Sequence, residues 1–180
     1  MNIYSEISSN KRNSYILLFA FIIIIIILGY FFGLLFGNPY IGVIFAFIFS
    51  IIMILIGYYS GDKLILSMSK STEANKKEHA FLINTVEGLS IAAGIPMPKV
   101  YVIEEESINA FATGRDPKHA SITITTGALK RLKRIELEGV IAHELSHIKN
   151  FDIRLMMLVS ILVGVIILLS DFTIRNFLWA

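Results

Sequence analysis

Near its C-terminal end the chain reads His143-Glu144-Leu145-Ser146-His147, two histidines and a carboxylate in five residues. On an α-helix, residues four apart are offset by about 40° and lie one above the other, so His143 and His147 share a face. Two neutral imidazoles at that spacing can hold one Zn²⁺ at about 2.0–2.1 Å, with Glu144 beside the ion's open position. Glu144 would there take a proton from an attacking water and return it to the leaving amine of a cleaved peptide bond. With four histidines and ten glutamates in the chain, such a pentad arises by chance only about once in two hundred sequences. An exposed helix with solvated His and Glu is the plainer alternative.

The motif needs a rigid helix. Ile135 to Asn150 supplies the pattern for one, with Val140, Ile141, Ala142 and Leu145 as its buried face. Gly139 inside it costs about 1 kcal/mol of helix propensity relative to Ala, which a close contact between helix and sheet would explain. Further ligands are scarce. Cysteine is absent, so thiolate sites and disulfides are excluded and any metal must be held by His, Asp or Glu. Glu138 precedes His143 by five residues and faces elsewhere on the helix. Asp152, five residues past His147 near the end of the same helix, is expected as an outer partner or a terminal residue rather than a ligand. His79 and His119 read as solvated, and no Glu follows Glu144.

The surroundings are those of a membrane protein. Of 180 residues 55% are hydrophobic, above the roughly 45–50% of soluble domains, and the mean hydropathy is +0.70. A formal charge of +2 gives no field that would favour nucleic acid as a partner. Tyr15 to Phe36 contains 22 residues without a charge, about 33 Å of helix against a hydrocarbon core of about 30 Å. Ile41 to Tyr59 is a second uncharged run, and Gly37-Asn38-Pro39-Tyr40 between them reads as a turn. The two form a transmembrane helical hairpin. The first run is too long for a cleaved signal peptide and no small-residue cleavage site follows it. Lys11 and Arg12 precede the first span, the turn carries no basic residue, and Lys63, Lys70, Lys76 and Lys77 follow the second. The N-terminus and the region after Tyr59 are therefore expected on the cytoplasmic side. Leu155 to Leu169 is a third apolar stretch, short for a span unless extended through Arg175.

Between the spans lies the polar part of the chain, residues 61–154, with thirteen Lys and Arg against twelve Asp and Glu. Its periodicity predicts an amphipathic helix over Glu73–Ala93 closed by Gly94 and Pro96, and a strand over Lys99–Ile103. A short strand over Asn109–Gly114 and a strand over Ser121–Thr126 stopped by Gly127 follow. A short basic helix over Ala128–Arg134 then leads into the helix that carries the motif. The basic run Lys130-Arg131-Leu132-Lys133-Arg134 is a solvated face or a contact for anionic lipid headgroups. Glu104-Glu105-Glu106 reads as an exposed loop.

Beyond the pentad, the two leading spans, "AAGIPMPKVYV" from Ala92, "INAFATGRDPKHASITITTGAL" from Ile108 and "EGVIAHELSHIKNFD" from Glu138 resemble the HtpX-type proteases. These belong to the membrane zinc metalloendopeptidases that also include the CAAX prenyl proteases. The resemblance extends over essentially the whole chain. It implies an α+β membrane protein: a cytoplasmic N-terminus (1–14), a transmembrane hairpin (15–60), an incomplete zincin-like domain of gluzincin type (61–154) and a third transmembrane segment (155–180). It implies one Zn²⁺ per chain held by His143 and His147, with Glu144 catalytic. It further implies a sheet edge at Asn109, Ala110, Phe111 and Ala112 along which an extended substrate pairs, although core packing is an equal reading of Phe111. The expected activity is hydrolysis of misfolded or damaged membrane proteins in the cell membrane, with the catalytic region cytoplasmic; lipids and polypeptide substrates are the partners. Such enzymes take a third ligand, a glutamate on a later helix, which this sequence lacks. The chain therefore reads as cut short and of little activity alone. The alternative is a non-catalytic membrane subunit or pseudoprotease that acts by binding partners.

Overall fold

A computed structural model describes residues 3–175. Along the chain run α1 (Ile3–Leu35), α2 (Pro39–Met68), β1 (Thr72–Glu73), α3 (Ala80–Ala93), β2 (Lys99–Ile103), β3 (Ala110–Gly114), a 3₁₀ turn (Pro117–His119), β4 (Ala120–Thr125), α4 (Thr126–Arg131), α5 (Arg134–Lys149) and α6 (Asp152–Thr173). Two compact units result. One joins the start of α1 through Lys11 to residues 61–157; the other holds residues 12–60 and the described residues from Leu158 onward.

Among the described residues, three helices are long and apolar enough to cross a membrane: Ser5–Leu35, Pro39–Met68 and Asp152–Asp171. The expected hairpin is present, and its helices run beyond the uncharged cores that announced them. The third apolar stretch is not short. Its helix begins at Asp152, and its 22 residues reach about 33 Å. Gly37, at φ +81°, ends α1, and the Asn38 side chain then accepts from the Ile41 N–H at 3.2 Å. Asn38 thus caps α2, with Pro39 in its first turn. Gly29 and Gly33 on α1 meet Gly42 and Ala46 on α2 so closely that a Cβ on Gly42 would stand 2.8 Å from the Gly33 Cα. Small residues let these backbones touch, as lipid-embedded helices require. Phe21 and Ile25 of α1, Ala46 of α2 and Leu162 of α6 form the buried centre of this unit.

In the other unit the sheet order is β1-β2-β4-β3, with β2 and β4 parallel and the remaining pairs antiparallel. Register puts Val100 beside Ile122 and Val102 beside Ile124, so one sheet face is aliphatic. Against it pack Leu82 and Val86 of α3 and Leu137, Ile141, Leu145 and Ile148 of α5. The buried stripe of the motif helix therefore runs 137/141/145/148. Val140 is half-buried and Ala142 exposed, which corrects the expected face. The first expected helix also starts later: Thr72 and Glu73 pair with Val102 and Tyr101, because the sheet draws these residues into a strand, and α3 begins at Ala80. Gly94 closes α3 as expected, at φ 69°. The basic run splits where Leu132 turns extended, leaving α4 short and α5 starting at Arg134.

Gly139 meets no atom within 4 Å of a built Cβ, so no close contact accounts for it. The tight approach is at Gly127, in the first turn of α4. There a Cβ would collide with the Glu106 carbonyl and stand 2.6 Å from the Ser107 oxygen. Gly127→Val is expected to destabilise this unit by about 1–3 kcal/mol, whereas Gly139→Ala is expected to be neutral or to stabilise by up to about 1 kcal/mol. Unfolding midpoints in detergent would check the contrast; equal midpoints for the two variants would contradict the packing described.

Candidate metal centre

Helix α5 is anchored through its buried stripe, so its opposite side faces out with fixed orientation. His143 and His147 stand there one turn apart, their ring centroids 4.6 Å apart and their planes at 86°. The Nε2 atoms converge to 3.1 Å. Two nitrogens sharing a tetrahedral zinc at about 2.0–2.1 Å would lie about 3.3 Å apart. The pair therefore fits two positions of such an ion.

Asp152 strengthens the fit. Its Oδ2 lies 2.8 Å from His147 Nδ1, which makes Nδ1–H the donor and leaves the Nε2 lone pair directed toward His143. A carboxylate behind a ligating histidine fixes ring and tautomer in this way. The sequence raised Asp152 as an outer partner, but not by this route. It does not belong to α5: the chain breaks at Asn150, Phe151 takes φ +63°, and Asp152 opens α6. On a continued helix it would have pointed away from His147.

Glu144 is half-buried between the imidazoles and the sheet. Burial pushes its pKa above the ordinary carboxylate value, opposed by His147, His143 and a hydrogen bond from the Ala112 backbone N–H. That bond identifies the strand beside the motif. β3 is the terminal strand of the sheet. Thr125 N–H donates to Asn109 O at 3.1 Å, and Asn109 N–H donates to Thr125 Oγ1 at 3.0 Å. In an antiparallel ladder the hydrogen-bonded pairs alternate, so Ala110 and Ala112 turn their backbone groups to the free edge. The Asn109 side-chain carbonyl accepts from Ala110 N–H at 2.9 Å. Register places Ala110 and Ala112 on the aliphatic face, opposite Ile124 and Ile122, and Phe111 on the other face beside Thr123. Phe111 lies outside the aliphatic core cluster.

The remaining candidates fall elsewhere. Glu138 accepts from Arg134 Nε at 3.1 Å. His119 is half exposed and pairs with Asp116 at 2.8 Å. His79 Nδ1 accepts from the Asn75 N–H at 3.3 Å. Among the described residues no group of three or more His, Cys, Asp or Glu lies together as a metal cluster. Sequence reasoning missed Asn10, whose side chain donates to Asp152 Oδ1 and to Asn150 O. No periodicity or motif links it to residues 140 positions away.

Comparison with known proteins returns one family description, Peptidase family M48, over residues 76–177. Among curated proteins the chain is 44% identical over 177 residues to a "Protease HtpX homolog" from Dictyoglomus thermophilum, covering 98% of this chain and 58% of that protein. Proteins of the same name from Thermoanaerobacter pseudethanolicus and Listeria monocytogenes serotype 4a are 44% and 42% identical, each over 98% of this chain and 59% of their own length. The chain thus spans somewhat under three fifths of the relatives it matches.

Proposed function

Since the chain belongs to peptidase family M48, we propose that it carries the greater part of the active centre of a zinc-dependent membrane endopeptidase. The observation that carries this reading is the convergence of His143 and His147 on one point, with Asp152 behind the second ring and Glu144 beside both. His143 and His147 would hold the ion through Nε2. Zinc, when bound there, supplies Lewis acidity at the scissile carbonyl. Glu144 accepts a proton from the attacking water on its carboxylate and delivers it to the departing amide nitrogen, so that water and peptide become acid and amine. The outer edge of β3 holds an extended substrate main chain with little demand on its sequence, through the backbone carbonyls of Ala110 and Ala112 and the N–H groups that Asn109 Oδ1 and Glu144 would release to it. Asn109 and Phe111 flank that edge. Such tolerance suits the clearance of misfolded or damaged membrane proteins.

Orientation is part of the proposal. Basic residues flank the hairpin on the side of both Lys11 and Lys63, and the start of α1 groups with residues 61–157 in one unit. Both support a multi-pass arrangement with the N-terminus and catalytic unit cytoplasmic. Two histidines make an incomplete site, because catalytic zinc takes three protein ligands. The third is proposed to come from the part of the relatives' length that this chain does not span.

The 180-residue chain, purified in detergent, is accordingly expected to bind zinc weakly and to cleave casein slowly or not at all. Zinc content and cleavage would be measured with and without a chelator, for the native chain and Glu144→Gln. Stoichiometric zinc with Glu144-dependent cleavage would show that the site is complete without further ligands. Partner binding that survives both the chelator and the substitution, in the absence of any cleavage, would favour a non-catalytic subunit.

A further inference from the structure

The turn between α5 and α6 is held from an unexpected quarter. Phe151 adopts φ +63°, a conformation that bulky side chains rarely take and that neighbours must enforce. Lys11 Nζ stands 4.2 Å from the Phe151 ring centre and the Arg154 guanidinium 5.1 Å. Arg154 is itself buried, its Nε donating to Arg115 O at 2.6 Å. One residue before Lys11, Asn10 donates from Nδ2 to the Asn150 carbonyl at 3.1 Å and to Asp152 Oδ1. The second oxygen of that carboxylate receives His147 Nδ1–H at 2.8 Å. A continuous path, Asn10 to Asp152 to His147, thus joins the first turns of α1 to the imidazole pair.

We propose that Asn10 is a positioning residue of the metal centre: by occupying one Asp152 oxygen it commits the other to His147, so that this ring keeps its proton on Nδ1 and offers Nε2 to the ion. The proposal rests on the reading of His143 and His147 as ligands. The Asp152 side chain is 31% exposed, so without Asn10 water can compete for its oxygens and the carboxylate can turn away. A neutral imidazole released from such a partner favours the Nε2–H form, which has no lone pair on the ligating atom. The pre-membrane turns of α1 therefore belong to the active centre as well as to the anchor.

The test uses the 180-residue chain in detergent micelles, labelled with ¹⁵N-histidine, at a pH where imidazole is neutral. The ring ¹⁵N shifts of His147 report the tautomer without metal, and a Zn²⁺ titration reports affinity. The native chain is expected to hold His147 as Nδ1–H. Asn10→Ala and Asn10→Asp are expected to move it toward Nε2–H and to weaken zinc about tenfold, the low end of what loss of an outer partner costs. The pair Asn10→Asp with Asp152→Asn should restore the native tautomer, because the new amide donates to position 10 while its oxygen still accepts from His147. Asn10→Asp keeps the side chain's size, so it serves if the alanine variant folds poorly. Native shifts and native affinity in both single variants, or a double variant no better than Asn10→Asp, would overturn the proposal. Zinc affinity that His143→Ala and His147→Ala leave unchanged, while the tautomer responds as described, would defeat the metalloprotease reading and leave the Asn10–Asp152–His147 path standing.

Discussion

Replacing Glu144 by glutamine is expected to lower the rate of zinc-dependent peptide hydrolysis by about 10²–10⁴-fold, the contribution of a positioned general base, while zinc content stays at its native level. In free energy this is about 3–5 kcal/mol of transition-state stabilisation. Glutamine matches the size of glutamate, and its oxygen can still accept from the Ala112 N–H that now donates to the carboxylate. It cannot take a proton from water. The loss should therefore appear in kcat with little change in KM, since in the proposed binding mode the substrate's main chain is held by β3 and not by this side chain. The measurement is steady-state cleavage of casein by this chain extended to the full length of the relatives it matches, where the proposed third ligand completes the site, with zinc quantified in the same samples. Activity retained within tenfold would remove Glu144 from the chemistry.

Zinc affinity should fall in a graded way across three further substitutions. His143→Ala and His147→Ala each remove one of two nitrogens that converge to 3.1 Å. Each is expected to weaken zinc by more than about a hundredfold, because a ligand itself is lost. Asp152→Ala leaves both imidazoles and removes only the acceptor behind His147, so about 10–100-fold is expected. Competition against a chromophoric chelator would give the order. An Asp152→Ala loss equal to that of either histidine would mean that the carboxylate binds metal directly. No loss in any of the three would mean that the rings do not bind it at all.

Much of the geometry of this candidate centre is legible in the sequence. The i, i+4 relation of His143 and His147 depends only on helical geometry, and aliphatic spacing marks the helix: Ile141 and Leu145 of the expected face are buried, while Leu137 and Ile148 take the places expected of Val140 and Ala142. The hairpin followed from two uncharged runs and a Gly-Asn-Pro turn, whose residues stop one helix and cap the next. The β3 edge was legible as a segment, and the alternation of its hydrogen bonds decided that Ala110 and Ala112, and not Phe111, present their backbone outward. The start of α3 was misjudged because Thr72 and Glu73 satisfy their backbone on β2, a pairing some thirty residues away that no local pattern encodes.

What the sequence by itself determined is whatever short-range forces govern: the membrane-crossing length of the apolar runs, the stacking of two imidazoles one turn apart, the turn chemistry of Asn38, Pro39 and Gly94. Those follow from bond geometry and hydrophobic burial within a few residues. The tertiary structure alone decided that Asp152 returns to His147, that Asn10 holds it there, that Gly127 and not Gly139 is the tight contact, and that the Ala112 N–H reaches Glu144. Each of these depends on a chain reversal or on packing between segments far apart in sequence, where the energy lies in fitted contacts that exist only once the elements are assembled.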